Sequence, residues 1–147
     1  MANNYVRGAS ITSAASRAEI HDMLTRCGAT GFRCGSEDGR TAITFTAGHR
    51  QFRFVYVPPG SEGPGTGKPV PGAKSHEDAS RRYWHKLSML IQAKLEAVAA
   101  GVATFEEEFL AYMVVPGGET VFQNVESGIA KAYATGVRRA LLNDGGR

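Results

Sequence analysis

Cysteine, long apolar runs and a charge excess of either sign are all scarce in this chain, and each scarcity removes a class of protein. Only two cysteines, Cys27 and Cys34, occur among 147 residues, with no further ligand at metal-binding spacing. Neither a disulfide framework nor a zinc module is therefore expected to organise the fold. No window approaches the roughly 18 consecutive apolar residues of a membrane span. The start, Met-Ala-Asn-Asn, lacks the basic and apolar regions of a secretory signal. A reduced, cytoplasmic setting without a membrane is the expectation, with both cysteines serving as small core residues. The formal net charge is only +3, well short of a dedicated duplex-DNA binder.

What the chain does have is the bulk of one domain. With 42% hydrophobic and 21% charged residues, residues 1–147 hold enough apolar material for a single core and too little for two. The modest net charge also hides a sided distribution. Residues 81–94 carry four cations and no carboxylate, whereas 95–126 carry six carboxylates and no cation. Such blocks build a polarised surface.

Local patterns predict the order α-βββ-α-α-α. Ser16-Arg17-Ala18-Glu19 has the form of a capping box, and Ile20, Met23, Leu24 and Cys27 follow at one-face spacing, which predicts a helix over 16–27 ended by Gly28. Three strands are expected at 29–34, 40–47 and 50–57, joined as an antiparallel meander. Gly48-His49 suits a type II′ hairpin that sets Phe45 opposite Phe52 and Ile43 opposite Phe54. Those four side chains then share one face, with Thr44, Thr46, Gln51 and Arg53 on the other. Residues 58–74 hold five of the six prolines and five glycines, the composition of a flexible loop within the domain.

A long helix is expected over 76–100, opened by Ser75 and carrying Trp84, Leu87, Ile91, Leu95, Val98 and Val102 as its apolar stripe. Gly101 breaks it. A second capping box, Thr104 to Glu107, restarts a short helix with Phe105, Phe109 and Leu110. After Pro116-Gly117-Gly118, residues Thr120 to Gln123 cap a last helix with Phe122, Val125, Ile129 and Ala132 as a buried stripe and Gly136 at its end. A competing reading pairs residues 112–115 with 119–122 as a hairpin. The fold class is α+β: a short helix, a three-stranded antiparallel meander, then a long helix and further helices packed on one sheet face.

Chemistry-bearing motifs are weak. Gly63-Pro64-Gly65-Thr66-Gly67-Lys68 has a phosphate-loop flavour, but Glu62 stands where a glycine belongs and Pro69 where Ser or Thr should bind magnesium. Glu106, Glu107 and Glu108 diverge by about 100° each on a helix, so they suit a helix N-terminus better than a metal. The histidines His21, His49, His76 and His85 are scattered, and no serine lies in a nucleophile elbow. No catalytic residue, metal or cofactor is expected. The constellation that stands out is basic and aromatic: Arg81, Arg82 and Lys86 around Tyr83 and Trp84, with Lys94 further on, and Arg33, Arg50 and Arg53 alternating with sheet phenylalanines. Cations for phosphates beside rings for bases suit single-stranded nucleic acid. The rings themselves are expected in the core, which leaves the basic, threonine-rich sheet face as the contact surface.

The stretches Cys27 to Phe32 and Ile91 to Leu110 resemble segments of small uncharacterised proteins carried by phages and prophages, over about half of the chain. The likeness stops after Pro116-Gly117-Gly118. That resemblance implies a host-cell cytoplasmic setting and no assigned activity. It raises two expectations: a non-enzymatic protein binding nucleic acid, single-stranded DNA first, through Arg33, Arg50, Arg53, Arg81, Arg82 and Lys86; or an anti-defence protein that inhibits a host immune system by binding a protein or a nucleotide signal. In the second case the acidic 96–108 face or the 58–74 loop would meet the partner. A homodimer through the long helix is a further expectation, because its apolar stripe is longer than one small sheet covers.

Overall fold

A computed structural model describes residues 12–37, 40–57 and 73–137. The first helix, α1 (Ser13–Arg26), begins three residues earlier than the spacing predicts. Thr12 caps it, its hydroxyl accepting from the Ala15 amide at 3.0 Å. Ser16 is one turn before Ile20 on the same face, so it is drawn into the core instead, 1% exposed and with its hydroxyl unpartnered among the described residues. The far end closes as expected. Gly28 takes φ +94°, the Gly28 amide donates to Thr25 O and the Ala29 amide to Leu24 O, a Schellman ending. Cys27 stands at this cap and is exposed, as is Cys34 on the edge strand; neither is the core residue the composition suggested.

Three antiparallel strands follow in the order β1 (Thr30–Glu37), β2 (Arg40–Ala47) and β3 (Arg50–Tyr56). The expected register holds, with Phe45 opposite Phe52 and Ile43 opposite Phe54, and all four are buried. The turn differs in type. Gly48 and His49 both have positive φ, +57° and +66°, which makes it type I′ rather than II′. β1 runs past Cys34 because Gly35 and Ser36 pair with Ala42 and Thr41, and its register shifts between Thr30 and Arg33, where Gly31 has φ +64°.

Residues 58–72 of the Gly/Pro-rich loop, with the Gly63 to Lys68 motif, lie outside the described residues, and its last two expected residues, 73 and 74, are helical. Helix α2 (Ala73–Ala99) starts two residues before Ser75 and stops at a second Schellman ending, with Gly101 at φ +77° and the Val102 amide bonded to Ala97 O. Val102 therefore falls beyond the helix and is exposed, not part of the stripe. Trp84, Leu87 and Ile91 of α2 meet Ile20 and Leu24 of α1 over the phenylalanine face of the sheet, with Leu95 packed against them. Trp84, Leu87, Ile91 and Leu95, four of the apolar residues on which a dimer through this helix was expected, thus contribute to the core of one chain.

Helix α3 (Phe105–Phe109) has the expected capping box between Thr104 and Glu107. It delivers Phe109, fully buried, edge-on to three sheet rings at 6.2–6.3 Å: Phe45, Phe52 and Phe54. A 3-10 turn (Leu110–Tyr112) stacks Tyr112 on Phe54 at 4.0 Å. Both readings of 112–122 contain part of the answer. Val114 bridges Thr120 around Pro116-Gly117-Gly118, Met113 bridges Phe52 on the edge of β3, and α4 (Val121–Thr135) begins immediately after.

The Thr120–Gln123 box and the left-handed Gly136 bound α4 as predicted, but of its expected stripe only Val125 is buried. Asn124 and Val125 face inward, while Phe122 is 54% and Ile129 39% exposed, because this helix packs chiefly against the 3-10 turn. Ser16 offers the clearest test of helix phasing. Ser16→Ala should raise stability by about 1 kcal/mol, since it removes an unpartnered buried hydroxyl and improves helix propensity, whereas Thr12→Ala should cost about 1 kcal/mol as a lost cap. Urea unfolding of both variants reads the difference; a loss at Ser16 would return the cap to that residue.

Candidate nucleic-acid interface

Strand alternation decides which side chains face solvent. With Phe45, Phe52 and Phe54 inward, the opposite face carries Arg33 and Gly35 from β1, Ala42, Thr44 and Thr46 from β2, and Gln51, Arg53 and Val55 from β3. None of these is buried. Arg33 pairs with Thr44, and Thr44 with Arg53, so the two arginines end one row across the sheet. Two strand spacings put them about 10 Å apart.

Arg53 is a positioned cation. Its Nη2 donates to Gly118 O at 2.6 Å and to Gln123 Oε1 at 3.4 Å, which ties β3 to the turn before α4. Gln123 Oε1 also accepts from the Thr120 amide as part of the capping box. Both acceptors of Arg53 are neutral, and neither Arg33 nor Arg53 makes an ion pair among the described residues. The other expected cations go elsewhere. Arg50 lies on the phenylalanine face of β3, 3.8 Å from the Glu106 carboxylate, with both side chains more than half exposed. Arg81 pairs with Asp78 on its own helix. Arg82 and Lys86 are exposed on α2, which covers the sheet's other side.

The structure thus brings together Arg33 and Arg53 on one face, and Arg81, Arg82 and Lys86 on one helix, with Arg50 apart from both. Lys94 belongs to neither group. It donates to Glu108 O at 2.8 Å and lies 5.8 Å from the Phe109 ring and 5.6 Å from Tyr112, joining α2 to α3. The three glutamates diverge as helix geometry requires: Glu106 to Arg50, Glu107 to the cap, Glu108 to Lys94. Among the described residues no three His, Cys, Asp or Glu side chains converge on a metal site. Among them, too, no helix is long and apolar enough to cross a membrane.

Beside Arg53 the sheet face runs into a hollow of about 310 Å³, lined by Arg53, Val55, Tyr112, Thr120, Phe122 and Gln123. Phe122 and Tyr112 are residues that sequence spacing did not assign to a site. Phe122 obeys the period of a buried stripe, and long-range ties bring it beside the sheet: the bond from Arg53 to Gly118, 65 positions apart, and that from the Val114 amide to Gln51 O. A second hollow, of about 430 Å³, lies between α2, the Gly48 turn and Phe105, and its lining is largely apolar. Near the other end of β3, Tyr56 stacks on Tyr83 at 4.1 Å. Burial, then the neighbouring Tyr112 and Tyr56, pushes the Tyr83 phenol up to about 12. Burial also raises Tyr56, with the Arg82 charge opposing it.

Removing the Arg53 tie should loosen one corner and nothing else. Arg53→Ala is expected to cost about 1 kcal/mol and to speed amide hydrogen exchange over 114–121, while Arg33→Ala should stay within about 0.5 kcal/mol of the wild type. Equal exchange in both variants would mean that Arg53 does not hold the turn. No known protein family, curated protein or solved structure matches this chain, and the interface is read from its own residues.

Proposed function

We propose that this is a non-enzymatic, phage-type protein that binds single-stranded nucleic acid, DNA first, on the open face of its sheet. The observation that carries this reading is the Arg33–Thr44–Arg53 row: two arginines without carboxylate partners among the described residues, on a sheet face where Arg33, Thr44, Arg53 and their neighbours all remain accessible. Phosphate oxygens are the natural complement of a guanidinium held in place by neutral acceptors. Threonine and glutamine beside the row add hydroxyl and amide groups for the sugar-phosphate chain. A single strand fits this face better than a duplex, because the face of a short three-stranded sheet offers no helix to enter a groove. Arg82 and Lys86, on the opposite side, extend the positive field and assist encounter without touching the same nucleotides. Arg50 and Arg81 contribute least, each having an acidic neighbour.

A second reading, an anti-defence protein acting in the host cytoplasm by binding a protein, is favoured by one observation. Phe122, Ile129 and Tyr133 leave an apolar strip open along α4, with Tyr133 86% exposed. The acidic 96–108 segment supports it less, since Glu106, Glu107 and Glu108 are engaged within the fold.

Titrating a fluorescent oligothymidylate at a series of salt concentrations separates the two. Binding should weaken steeply with salt, and Arg33→Ala should lower the slope of log K against log salt by about 0.7, the share of one phosphate contact on a single strand. Lys86→Ala should leave that slope nearly unchanged. No binding of DNA or RNA at low salt, or binding indifferent to salt, would remove the nucleic-acid reading and leave the protein-partner one.

A further inference from the structure

We propose that the hollow between Arg53 and Phe122 is a pocket for one nucleotide unit, in which a base stacks on the Phe122 ring while its phosphate meets Arg53. The inference rests on the nucleic-acid reading and deepens it by naming where a base goes. An open sheet face with threonines and arginines explains a grip on the backbone, but it has no ring on which a base could stack. An exposed ring beside it is Phe122, 54% accessible in the first turn of α4 and lining the same hollow as Arg53.

Size, shape and charge agree on the occupant. About 310 Å³ is at the lower end of small-ligand pockets, so it admits one nucleotide unit and not a folded partner. Val55, 38% exposed, continues the apolar wall from the sheet side. The charge is opposite in kind to that wall. Arg53 uses Nη2 for Gly118 O and Gln123 Oε1, which leaves the N–H groups of Nη1 and Nε to donate to an anion. The N-terminus of α4 faces the same space. Its Thr120 and Gln123 amides are taken by the capping box and the Val121 amide by Met113 O, so the helix supplies its positive field more than free donors.

An apolar ring, a fixed cation and a helix N-terminus around one small hollow select a flat, apolar-faced group joined to an anion. A nucleotide is that combination. Gln123 adds selectivity at the rim: its Oε1 already accepts from Thr120 and Arg53, so its Nε2 is left to donate toward a base carbonyl, which thymine presents. The row geometry gives direction. A strand whose base occupies this pocket carries its neighbouring phosphate along Thr44 toward Arg33.

The test compares the full chain with its Phe122→Ala and Phe122→Tyr variants, using a thymidylate dodecamer and the same oligomer with a row of abasic sites. Phe122 is exposed, and unchanged thermal melting of each variant confirms an intact fold. Loss of one stacked base should weaken Phe122→Ala about tenfold while leaving the salt slope as in wild type, because no phosphate contact is lost. Phe122→Tyr, which keeps the ring, should bind like wild type. The abasic oligomer should bind the wild type about as weakly as the intact oligomer binds Phe122→Ala, and removing the ring should then change nothing. If Phe122→Ala binds the intact oligomer like wild type with a normal salt slope, the pocket is overturned and the sheet-face reading stands. If the wild type binds no oligonucleotide at low salt, both fall together. An anionic aromatic peptide that binds where the oligonucleotide does not would likewise overturn the nucleotide assignment.

Discussion

The two-residue turn at Gly48-His49 is the constraint on which the rest of the molecule depends. A type I′ turn of that length permits one register between β2 and β3, and a slip of one residue would exchange the two faces of the sheet. In the observed register Phe45, Phe52, Phe54 and Ile43 point inward together. Trp84, Leu87 and Ile91 from α2, Ile20 and Leu24 from α1, and Phe109 from α3 all pack on that face. The same parity turns Thr44, Arg53 and, through β1, Arg33 outward. Core and candidate interface are two consequences of one turn.

The inward face is held chiefly by aromatic packing. Phe109 meets three sheet rings edge-on and stacks on Phe105 at 4.4 Å, a geometry that aligns ring edges with ring faces and adds about 0.5–1.5 kcal/mol per pair beyond burial. Lys94 closes this cluster by bonding Glu108 O while its ammonium lies over Phe109 and Tyr112. The exposed Arg50–Glu106 pair is a minor contribution beside these, being solvated at both ends. The outer face needs no such packing. Its order comes from the strands, and from Arg53, whose bond to Gly118 joins the Val114–Gln51 backbone bond in tying the turn before α4 to β3.

Where a signal was local, the sequence carried it. Hairpin register, two capping boxes and the helix break at Gly101 depend on neighbours within a few residues, and all are present. Local signals failed where two of them competed. Ser16 fits a capping box but also continues the face of Ile20, and burial won. The stripe of α4 has the spacing of a buried face, yet spacing does not say whether another element covers it, and Phe122 and Ile129 are open. The arginines show the limit most clearly. Arg33, Arg50 and Arg53 read alike in the chain, but Arg50 falls on the opposite side of β3 beside Glu106, and Arg53 is oriented by a carbonyl 65 positions away. That bond helps to form the Phe122 corner, and no pattern within a short window announces it.

On the function proposed above, nucleic acid meets the open sheet face and not the basic stretch of α2. Amide chemical shifts recorded while unlabelled oligothymidylate is added to the ¹⁵N-labelled chain test it most directly. The largest changes are predicted at Arg33, Thr44, Arg53 and the turn from Gly118 to Gln123, with Arg82 and Lys86 nearly unmoved. Changes confined to residues 81–86, or none at low salt, would contradict it.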